Sequence, residues 1–410
     1  MEKVMSSNKS LVSDSKPEKY KIHNFMRKMV QEDVFNKLVE YIDSRIKAKE
    51  GKLPELNRIN PVSINIDLTT ACNYLCDHCI DLELINNGGM LKVENVKKLV
   101  SRWAEGGLKS VIVIGGGEPT VYPYFSEIVS FLKSKGLELG IASNGSRVIR
   151  LAEIAPLLNK KDWMRLSLDS GTDVTFKDIH NPKVRVNLDD ILSEVSVMRK
   201  NYSNFQMGYS FLVISNDHRA NNKNLICNIH EIALAAEKAK KNGFSYLSVK
   251  PFIATSGSRP TEFSAKQINE IAEQIDEAKK LEDGSFKVIE SVNLLSLSRE
   301  ADKRLSVQPK TCHIQFFRLA VCPDGIFNCT LWRGFDISRI CGTKEEIDEG
   351  YFAVLRKNLL EIIESFDASN KCSEVSCIYN DFNWFVEDII NNPEKLKTLK
   401  KTENFYDYFL

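Results

Sequence analysis

The chain has 410 residues, 43% hydrophobic and 27% charged, a composition typical of a globular protein with about two domains. A formal net charge of +1 indicates neither a general nucleic-acid-binding protein nor an electrostatic membrane anchor. No run approaches the ~18 apolar residues of a membrane-spanning helix, and the N-terminus lacks the apolar core of a signal peptide. We therefore expect a cytoplasmic protein, whose ten cysteines indicate metal ligation or catalysis rather than disulfides.

Residues 1–58 predict a polar, lysine-rich tail followed by a helical extension. Apolar residues recur with helical spacing from Phe25 through Val34 to Ile42, which indicates one or two amphipathic helices. We expect these helices to pack on the main body of the protein.

Residues 59–255 alternate between strand and helix patterns six times. The predicted strands are 62–69, 110–115, 138–143, 163–169, 206–214 and 244–251. The predicted helices between them lie near 92–105, 122–135, 147–159, 187–200 and 225–242. Alternating units of this length predict an α/β fold with a parallel sheet, and six of them fit a partial (β/α)6 TIM-type barrel, in which chemistry gathers at the carboxyl ends of the strands.

The loop after the first predicted strand carries Cys72, Cys76 and Cys79. Three thiolates within eight residues can hold three irons of a [4Fe–4S] cluster, and the missing fourth cysteine leaves one iron open. A zinc site or three buried cysteines is the alternative. Structural zinc usually takes four protein ligands in two close pairs, and no second pair lies nearby in the sequence.

Polar residues follow the next strands. Residues 115–118 read Gly-Gly-Gly-Glu, and glycines let a ligand approach the backbone closely, although a tight turn would also explain them. In the fourth strand Arg165, Ser167 and Asp169 alternate, so they share one face, which indicates a polar cavity; solvent exposure at a barrel edge is the alternative. Lys250 ends the sixth strand as either a cavity cation for an anionic substrate or a solvated rim residue.

The CxxxCxxC spacing after the first strand of a βα repeat resembles the radical S-adenosylmethionine (SAM) superfamily, and residues 116–118 are similar to its GGE motif. The resemblance implies that SAM chelates the open iron and is cleaved reductively to a 5′-deoxyadenosyl radical, which abstracts hydrogen from a substrate. It assigns Arg165 to the SAM carboxylate or to a substrate anion. The other residues that it assigns to SAM are His78 (through its backbone), Gly116, Gly117 and Glu118 (amino group), Ser143 and Asn144 (ribose and carboxylate), and Ser167 and Asp169 (ribose hydroxyls).

Residues 256–304 predict a connector in which Ser264 and Gln267 form the capping box of a helix that runs to about Leu281. Residues 305–410 then hold a second concentration of cysteines. Between them Pro323-Asp324-Gly325 predicts a hairpin turn. The aromatic residues of the last 30 positions predict a packing strap.

This C-terminal arrangement resembles the SPASM/Twitch extension of radical SAM enzymes, a small α+β iron–sulfur domain. The resemblance implies a second, auxiliary [4Fe–4S] cluster. Its ligands would be Cys312, Cys329, Cys372 and Cys377. The chain departs from the Twitch pattern in the spacing from Gly325 to Cys329 and in the final CxxxxC pair. Cys322 and Cys341 are left over as buried thiols, and Cys322 could instead ligate a cluster or act catalytically by donating a hydrogen atom to a substrate radical.

Three hypotheses follow. The first is a tailoring oxidoreductase that dehydrogenates or epimerises a small polar metabolite, and the second is a peptide maturase that modifies a ribosomal precursor. The third is a non-catalytic iron–sulfur or zinc redox sensor, against which the Gly-Glu and Arg-Ser-Asp elements argue. The absence of a peptide-recognition module before the barrel favours the first. The expected partner is a low-potential electron donor such as flavodoxin or ferredoxin. We expect no binding to nucleic acid or to a membrane.

Overall fold

The computed structural model describes residues 25–51, 59–220, 223–252, 263–291, 293–294, 307–373, 375 and 377–410. Within them the dominant element is a ten-stranded sheet. Its strands are, in chain order, Ser63–Ile66 (β1), Ser110–Val113 (β2), Glu138–Ser143 (β3), Trp163–Ser167 (β4), Gln206–Val213 (β5), Tyr246–Pro251 (β8), Lys287–Glu290 (β9), Arg318–Cys322 (β10), Gly325–Phe327 (β11) and Arg339–Cys341 (β12). Arg219–Ala220 (β6) and Lys223–Asn224 (β7) form a separate small hairpin.

The order of the strands in the sheet is β12-β11-β10-β1-β2-β3-β4-β5-β8-β9. The six strands predicted from the sequence are β1 to β5 and β8, and they lie side by side and parallel. Several of them end two residues or more before the predicted limit, because the residues that follow turn away into loops at the carboxyl edge. All polar loops of the predicted site therefore leave the sheet at one edge.

Helices cover the outer face of the sheet. They are Phe25–Met29 (α1), Glu32–Lys49 (α2), Val93–Glu105 (α3), Phe125–Ser134 (α4), Val148–Ile154 (α5), Asp173–His180 (α6), Leu188–Asn201 (α7), Ile232–Lys241 (α8), Ala265–Lys279 (α9), Glu349–Ser365 (α10), Ala368–Lys371 (α11) and Asn380–Asn391 (α12). In α3 the buried residues Val96, Leu99, Val100 and Trp103 recur at helical spacing and form the stripe that faces the sheet. Helix α6 was not predicted; Thr172 caps it by accepting from the Thr175 amide.

The predicted connector and C-terminal region extend the barrel sheet rather than standing apart from it. The connector supplies α9, with the predicted capping box at Ser264, and β9, which pairs with β8. Strand β10 pairs in parallel with β1, with Ile66 opposite Val321, and the predicted hairpin joins β10 to β11. The end of β10 therefore lies at the same edge of the sheet as the ends of β1 and β2.

The N-terminal helices and the C-terminal residues close the opposite edge. The Tyr41 ring of α2 stacks on Phe316 with centroids 4.6 Å apart. Ser110, the first residue of β2, donates to the Tyr408 carbonyl, and the Phe409 ring lies 5.6 Å from that of Trp163, the first residue of β4. No helix among the described residues is long and apolar enough to cross a membrane.

Replacing Ile64 with Ala tests the central position of β1. Ile64 is fully buried between β2 and β10, so we expect the free energy of unfolding to fall by about 2–5 kcal/mol, from the lost apolar burial and the cavity that remains. The midpoint of chemical denaturation measures the loss. Ile149→Ala on the exposed face of α5 is the matched control, and an equal effect of the two substitutions would contradict this assignment of the core.

Candidate active site

The loop after β1 brings Cys72, Cys76 and Cys79 into one pocket. Burial raises the pKa of Cys76 well above its usual value, and the neighbouring thiols of Cys79 and Cys72 raise it further. Burial, together with Asp81, likewise raises the pKa of Cys79 to about 12. Thiols that are buried next to one another, and form no disulfide, are readily deprotonated only by a bound metal.

His180, at the end of α6, contacts this pocket and was missed by the sequence analysis. Its Nδ1 lies 3.3 Å from the Cys76 sulfur, and its Nε2 lies 3.0 Å from the carbonyl oxygen of Leu168. The ligand atoms of Cys76, His78 and His180 lie within 4.8 Å of one another. His180 is 104 residues from Cys76, so no local spacing could have indicated this contact.

Asp169, just after β4, supports the two histidines. One carboxylate oxygen lies 3.4 Å from His78 Nε2 and 3.5 Å from His180 Nε2, and the other accepts from the Leu212 amide at 2.7 Å. Burial raises the pKa of Asp169, but the histidines outweigh burial and the net shift is downward. The residue has φ +50°, a conformation that costs free energy and is common at functional sites. The carboxylate contacts His78 and His180 in this structure, and its assignment to the ribose of SAM stays a prediction.

Glu118 has a similar internal role. Its buried carboxylate accepts from the Thr120 amide and hydroxyl, the Ser143 hydroxyl and the Asn144 amide, at 2.6 to 3.0 Å. Three of these bonds go to Oε1 and one goes to Oε2, so Oε2 keeps an acceptor position. Glu118 and Ser143 together hold the loop after β3 in this structure, and their assignment to SAM stays a prediction. The Asn144 side chain in turn donates to Asn73 in the cysteine loop, at 2.9 Å.

The glycines of residues 115–117 are required by the chain itself. A Cβ on Gly117 would overlap the Ala71 carbonyl, and one on Gly115 would overlap the Gly117 carbonyl. Gly116 has more space, with the Asp67 carboxylate 3.4 Å from the position of a Cβ. The β2 loop therefore packs directly against the cysteine loop, and the assignment of Gly116 and Gly117 to SAM stays a prediction.

The alternation predicted for the fourth strand is present in β4. Arg165 and Ser167 are partly exposed, whereas Met164 and Leu166 are fully buried against the helices. Lys250, near the end of β8, is also partly buried. Burial lowers the pKa of Lys250 to about 7, and the nearby Arg165 lowers it further, whereas Asp169 raises it. The prediction that Lys250 is a cavity cation for an anionic substrate stays a prediction.

A buried ionic network occupies the edge between β1 and β10. The Arg333 guanidinium pairs with Asp81, lies 3.5 Å from the Asp67 carboxylate and donates to the Gly115 carbonyl at 3.2 Å. The Cys322 thiol, 4% exposed, donates to Asp67 at 3.4 Å. Burial raises the pKa of Cys322 well above its usual value, and the Asp67 carboxylate raises it further, so the thiol is protonated. A hydrogen-donating role for Cys322 stays a prediction.

The four C-terminal cysteines predicted to share a cluster lie together. Burial raises the pKa of Cys312 well above its usual value, and the thiols of Cys377, Cys329 and Cys372 raise it further, in that order. Cys341 lies in β12, where the Asn358 amide group is 3.9 Å from its sulfur.

N–H groups point at the sulfurs of this C-terminal group. The Trp332 indole donates to Cys372 at 3.4 Å, and the Leu331 amide donates to Cys329 at 3.4 Å. The Asn383 side chain lies 3.9 Å from Cys312. N–H donors that surround thiolates stabilise their negative charge, as iron–sulfur sites require. The donor set and its surroundings therefore fit a four-cysteine cluster, and the three thiols of the β1 loop fit a cluster with one open iron.

Asp67, Asp81 and Arg333 were also missed. Asp67 could have been found, because it lies near the carboxyl end of the predicted first strand, where the chemistry of such a barrel gathers. No sequence pattern indicated Arg333, because it lies in a loop of the C-terminal region, far along the chain from Asp67 and Asp81.

Comparisons with known proteins agree with this geometry. Residues 66–253 match the family model described as the Radical SAM superfamily. An S-adenosylmethionine-dependent nucleotide dehydratase of a Thermoplasmatales archaeon (strain ISO4-H5) is 35% identical over 108 residues, 26% of this chain and 38% of the relative. Mycofactocin maturase MftC of Mycobacterium tuberculosis is 32% identical over 114 residues, 27% of this chain and 28% of the relative. The chain thus spans less than two fifths of the length of these relatives.

Among solved structures, Streptococcus suis SuiB bound to S-adenosylmethionine has a TM-score of 0.54 and 13% identity, with 73% of this chain and 68% of SuiB covered. SuiB bound to its precursor peptide SuiA has a TM-score of 0.51 and 12% identity, with 77% and 72% covered. At these identities the likeness shows the fold alone, and it confirms the predicted parallel partial barrel.

Replacing Arg333 with Met tests the ionic network. The substitution leaves Asp67 and Asp81 buried without their cation, and we expect the free energy of unfolding to fall by about 3–5 kcal/mol. Arg102→Met removes a partner of Glu349 at the surface, and that loss should stay within about 1 kcal/mol. Chemical denaturation of both variants measures the difference, and equal losses would show that the buried network contributes no more than a surface ion pair.

Proposed function

Residues 66–253 belong to the radical SAM superfamily, and on that premise we propose that the protein is an enzyme that cleaves SAM reductively at a [4Fe–4S] cluster held by Cys72, Cys76 and Cys79. The observation that carries the proposal is the group of three half-buried thiols at the edge of the sheet where the loops after β2, β3 and β4 also lie. When bound and reduced, the cluster supplies one electron to the sulfonium of SAM, and hydrogen abstraction from the substrate follows.

The residues around the thiols position the reactants. The backbone carbonyls of Gly116 and Gly117 can accept from the SAM amino group. Glu118, the next residue, accepts from the Asn144 amide and so holds the neighbouring loop in place. Ser167 faces the barrel interior, where its hydroxyl can meet the ribose. Asp169 orients His180, which contacts the Cys76 sulfur. The backbone of His78 lies within the cysteine loop, where the resemblance expects adenine.

We further propose that Cys312, Cys329, Cys372 and Cys377 hold an auxiliary [4Fe–4S] cluster. Their mutual effect on pKa and the N–H donors from Trp332 and Leu331 support this assignment. Such a cluster could accept the electron left on the substrate, which would make the reaction a dehydrogenation, with flavodoxin or ferredoxin as the low-potential donor to the protein.

The substrate that we favour is a small polar metabolite, because the interior-facing residues of β4, β5 and β8 are mostly polar. A peptide maturase is the second candidate, supported by the similarity to the relative named mycofactocin maturase. A non-catalytic metal sensor would bind metal without cleaving SAM, so the assays below separate it from both.

Replacing Cys76 with Ala should abolish 5′-deoxyadenosine formation, because two thiolates cannot hold three irons of the cluster. The measurement is product formation from SAM by anaerobically reconstituted protein in the presence of a reductant. Cys227→Ala, which removes a partly exposed thiol outside both cysteine groups, is the matched control and should retain product. Wild-type protein that leaves SAM intact, or that carries zinc in place of iron, would overturn the proposal.

Replacing Cys372 with Ala should lower the iron content from about eight to about four per chain, because only the auxiliary cluster loses a ligand. Iron and sulfide analysis measures the change, and 5′-deoxyadenosine should still form at a reduced rate. If wild-type protein already holds about four irons, and Cys372→Ala leaves that number unchanged, the four C-terminal cysteines do not bind a cluster.

A further inference from the structure

Two cations face the interior of the barrel from different strands. Arg165 shares the interior face of β4 with Trp163 and Ser167, all partly exposed. Lys250 shares the interior face of β8, whereas its neighbour Val249 is fully buried on the other side. Strand β5 lies between β4 and β8, so the two side chains line the same cavity from either side of one strand.

Hydroxyl groups fill the sheet surface between these cations. Ser167 of β4 is in register with Ser210 of β5, and Ser210 is in register with Ser248 of β8. Residues in register on parallel strands point to the same face, so the three hydroxyls form a row across the interior. Arg165 lies one interior position before this row and Lys250 one position after it. The structure gives none of the three hydroxyls a hydrogen-bond partner among the residues it describes.

Tyr246 adds a fourth hydroxyl at the level of Arg165. It is opposite Gly208, where any side chain would overlap the tyrosine ring and hydroxyl. Arg165 lowers the pKa of Tyr246, although burial dominates and the net shift is upward, which places the phenol within electrostatic reach of the guanidinium. Gly208 therefore keeps this side of the cavity open for the phenol.

Neither cation has a carboxylate partner within the described part of the chain. The Arg165 guanidinium lies 5.4 Å above the Trp163 ring, and its buried Nε has no hydrogen-bond partner. Asp169 is the acidic group that acts on Lys250, and its two oxygens are already held by Leu212 and the histidines. The lowered pKa of Lys250 is the result expected when two positive charges share a poorly hydrated cavity. A bound anion would relieve this repulsion.

We propose that Arg165 and Lys250 bind the anionic group of the substrate, and that Ser210 and Ser248 hydrogen-bond its hydroxyl or phosphate oxygens. The substrate class is then a small hydroxylated metabolite that carries a phosphate or a carboxylate. Assigning the anion to the substrate rests on the proposed function. Four strands lie between β8, which carries Lys250, and β1, which precedes the cysteine loop.

The test is anion binding by the full chain, reconstituted anaerobically and saturated with SAM. Isothermal titration calorimetry with inorganic pyrophosphate and, separately, with malonate distinguishes a phosphate from a carboxylate ligand. We expect wild-type protein to bind one of them at one site. Lys250→Met and Arg165→Met should each weaken binding at least about tenfold, the loss of one charge-assisted hydrogen bond. Lys250→Arg should retain most of the affinity, and Lys160→Met, at an exposed position, should change nothing.

Several results would overturn the proposal: neither anion binds, binding is unchanged in Lys250→Met and Arg165→Met, or binding occurs without SAM and disappears when SAM is added. The last result would assign the cations to the SAM carboxylate. Tighter binding of an acidic peptide such as hexaglutamate, with the same dependence on Lys250, would place a peptide in the cavity instead. Wild-type protein that cleaves SAM but binds neither anion refutes this inference alone, whereas Lys250-dependent binding without SAM cleavage supports the site and refutes the proposed function.

Discussion

The buried guanidinium of Arg333 joins parts of the chain that are far apart in the sequence. It pairs with Asp81, 252 residues away in the cysteine loop, and contacts Asp67 after β1 and the Gly115 carbonyl after β2. Arg333 itself follows Cys329 by four residues. One side chain thus ties the loop of the first cysteine group to the segment that carries the second. Loss of the guanidinium alone would leave both carboxylates without a cation inside the protein, which is strongly destabilising.

The parallel pairing of β10 with β1 makes that contact possible. It places the C-terminal region beside the first barrel strand, so the Cys322 thiol comes within hydrogen-bond distance of Asp67. The first cysteine group lies at the edge at which the barrel opens. Cys312 precedes β10 and Cys329 follows the antiparallel β11, so the second group lies at the amino end of β10. The N-terminal helices and the final residues close the other edge, where Tyr408 and Phe409 contact the first residues of β2 and β4. The cavity is therefore open at one end.

The polar residues at the strand ends divide into two kinds. The carboxylates of Glu118 and Asp169 contact other residues of the protein. These contacts hold the loop after β3 and the two histidines near the thiols. The side chains of Arg165 and Lys250 face the cavity. So do the hydroxyl groups of Ser167, Ser210 and Ser248. A buried polar group without a protein partner is costly, so such groups persist where a ligand satisfies them. The first kind holds the loops around the cysteine triplet, and the second kind is the basis of the proposed anion site.

The sequence by itself determined the six βα units, the cysteine triplet, the interior face of β4 and the hairpin at Gly325. These are local properties: periods of 2 and 3.6 residues and short spacings specify them without knowledge of the rest of the chain. Only the tertiary structure decided that β10 joins β1, that His180 contacts Cys76 and that Arg333 lies between Asp67 and Asp81. It also decided that Glu118 accepts from the Asn144 amide and that Asp169 lies beside His180. Contacts between residues 104 to 255 positions apart follow from how the elements pack, and no local pattern encodes them.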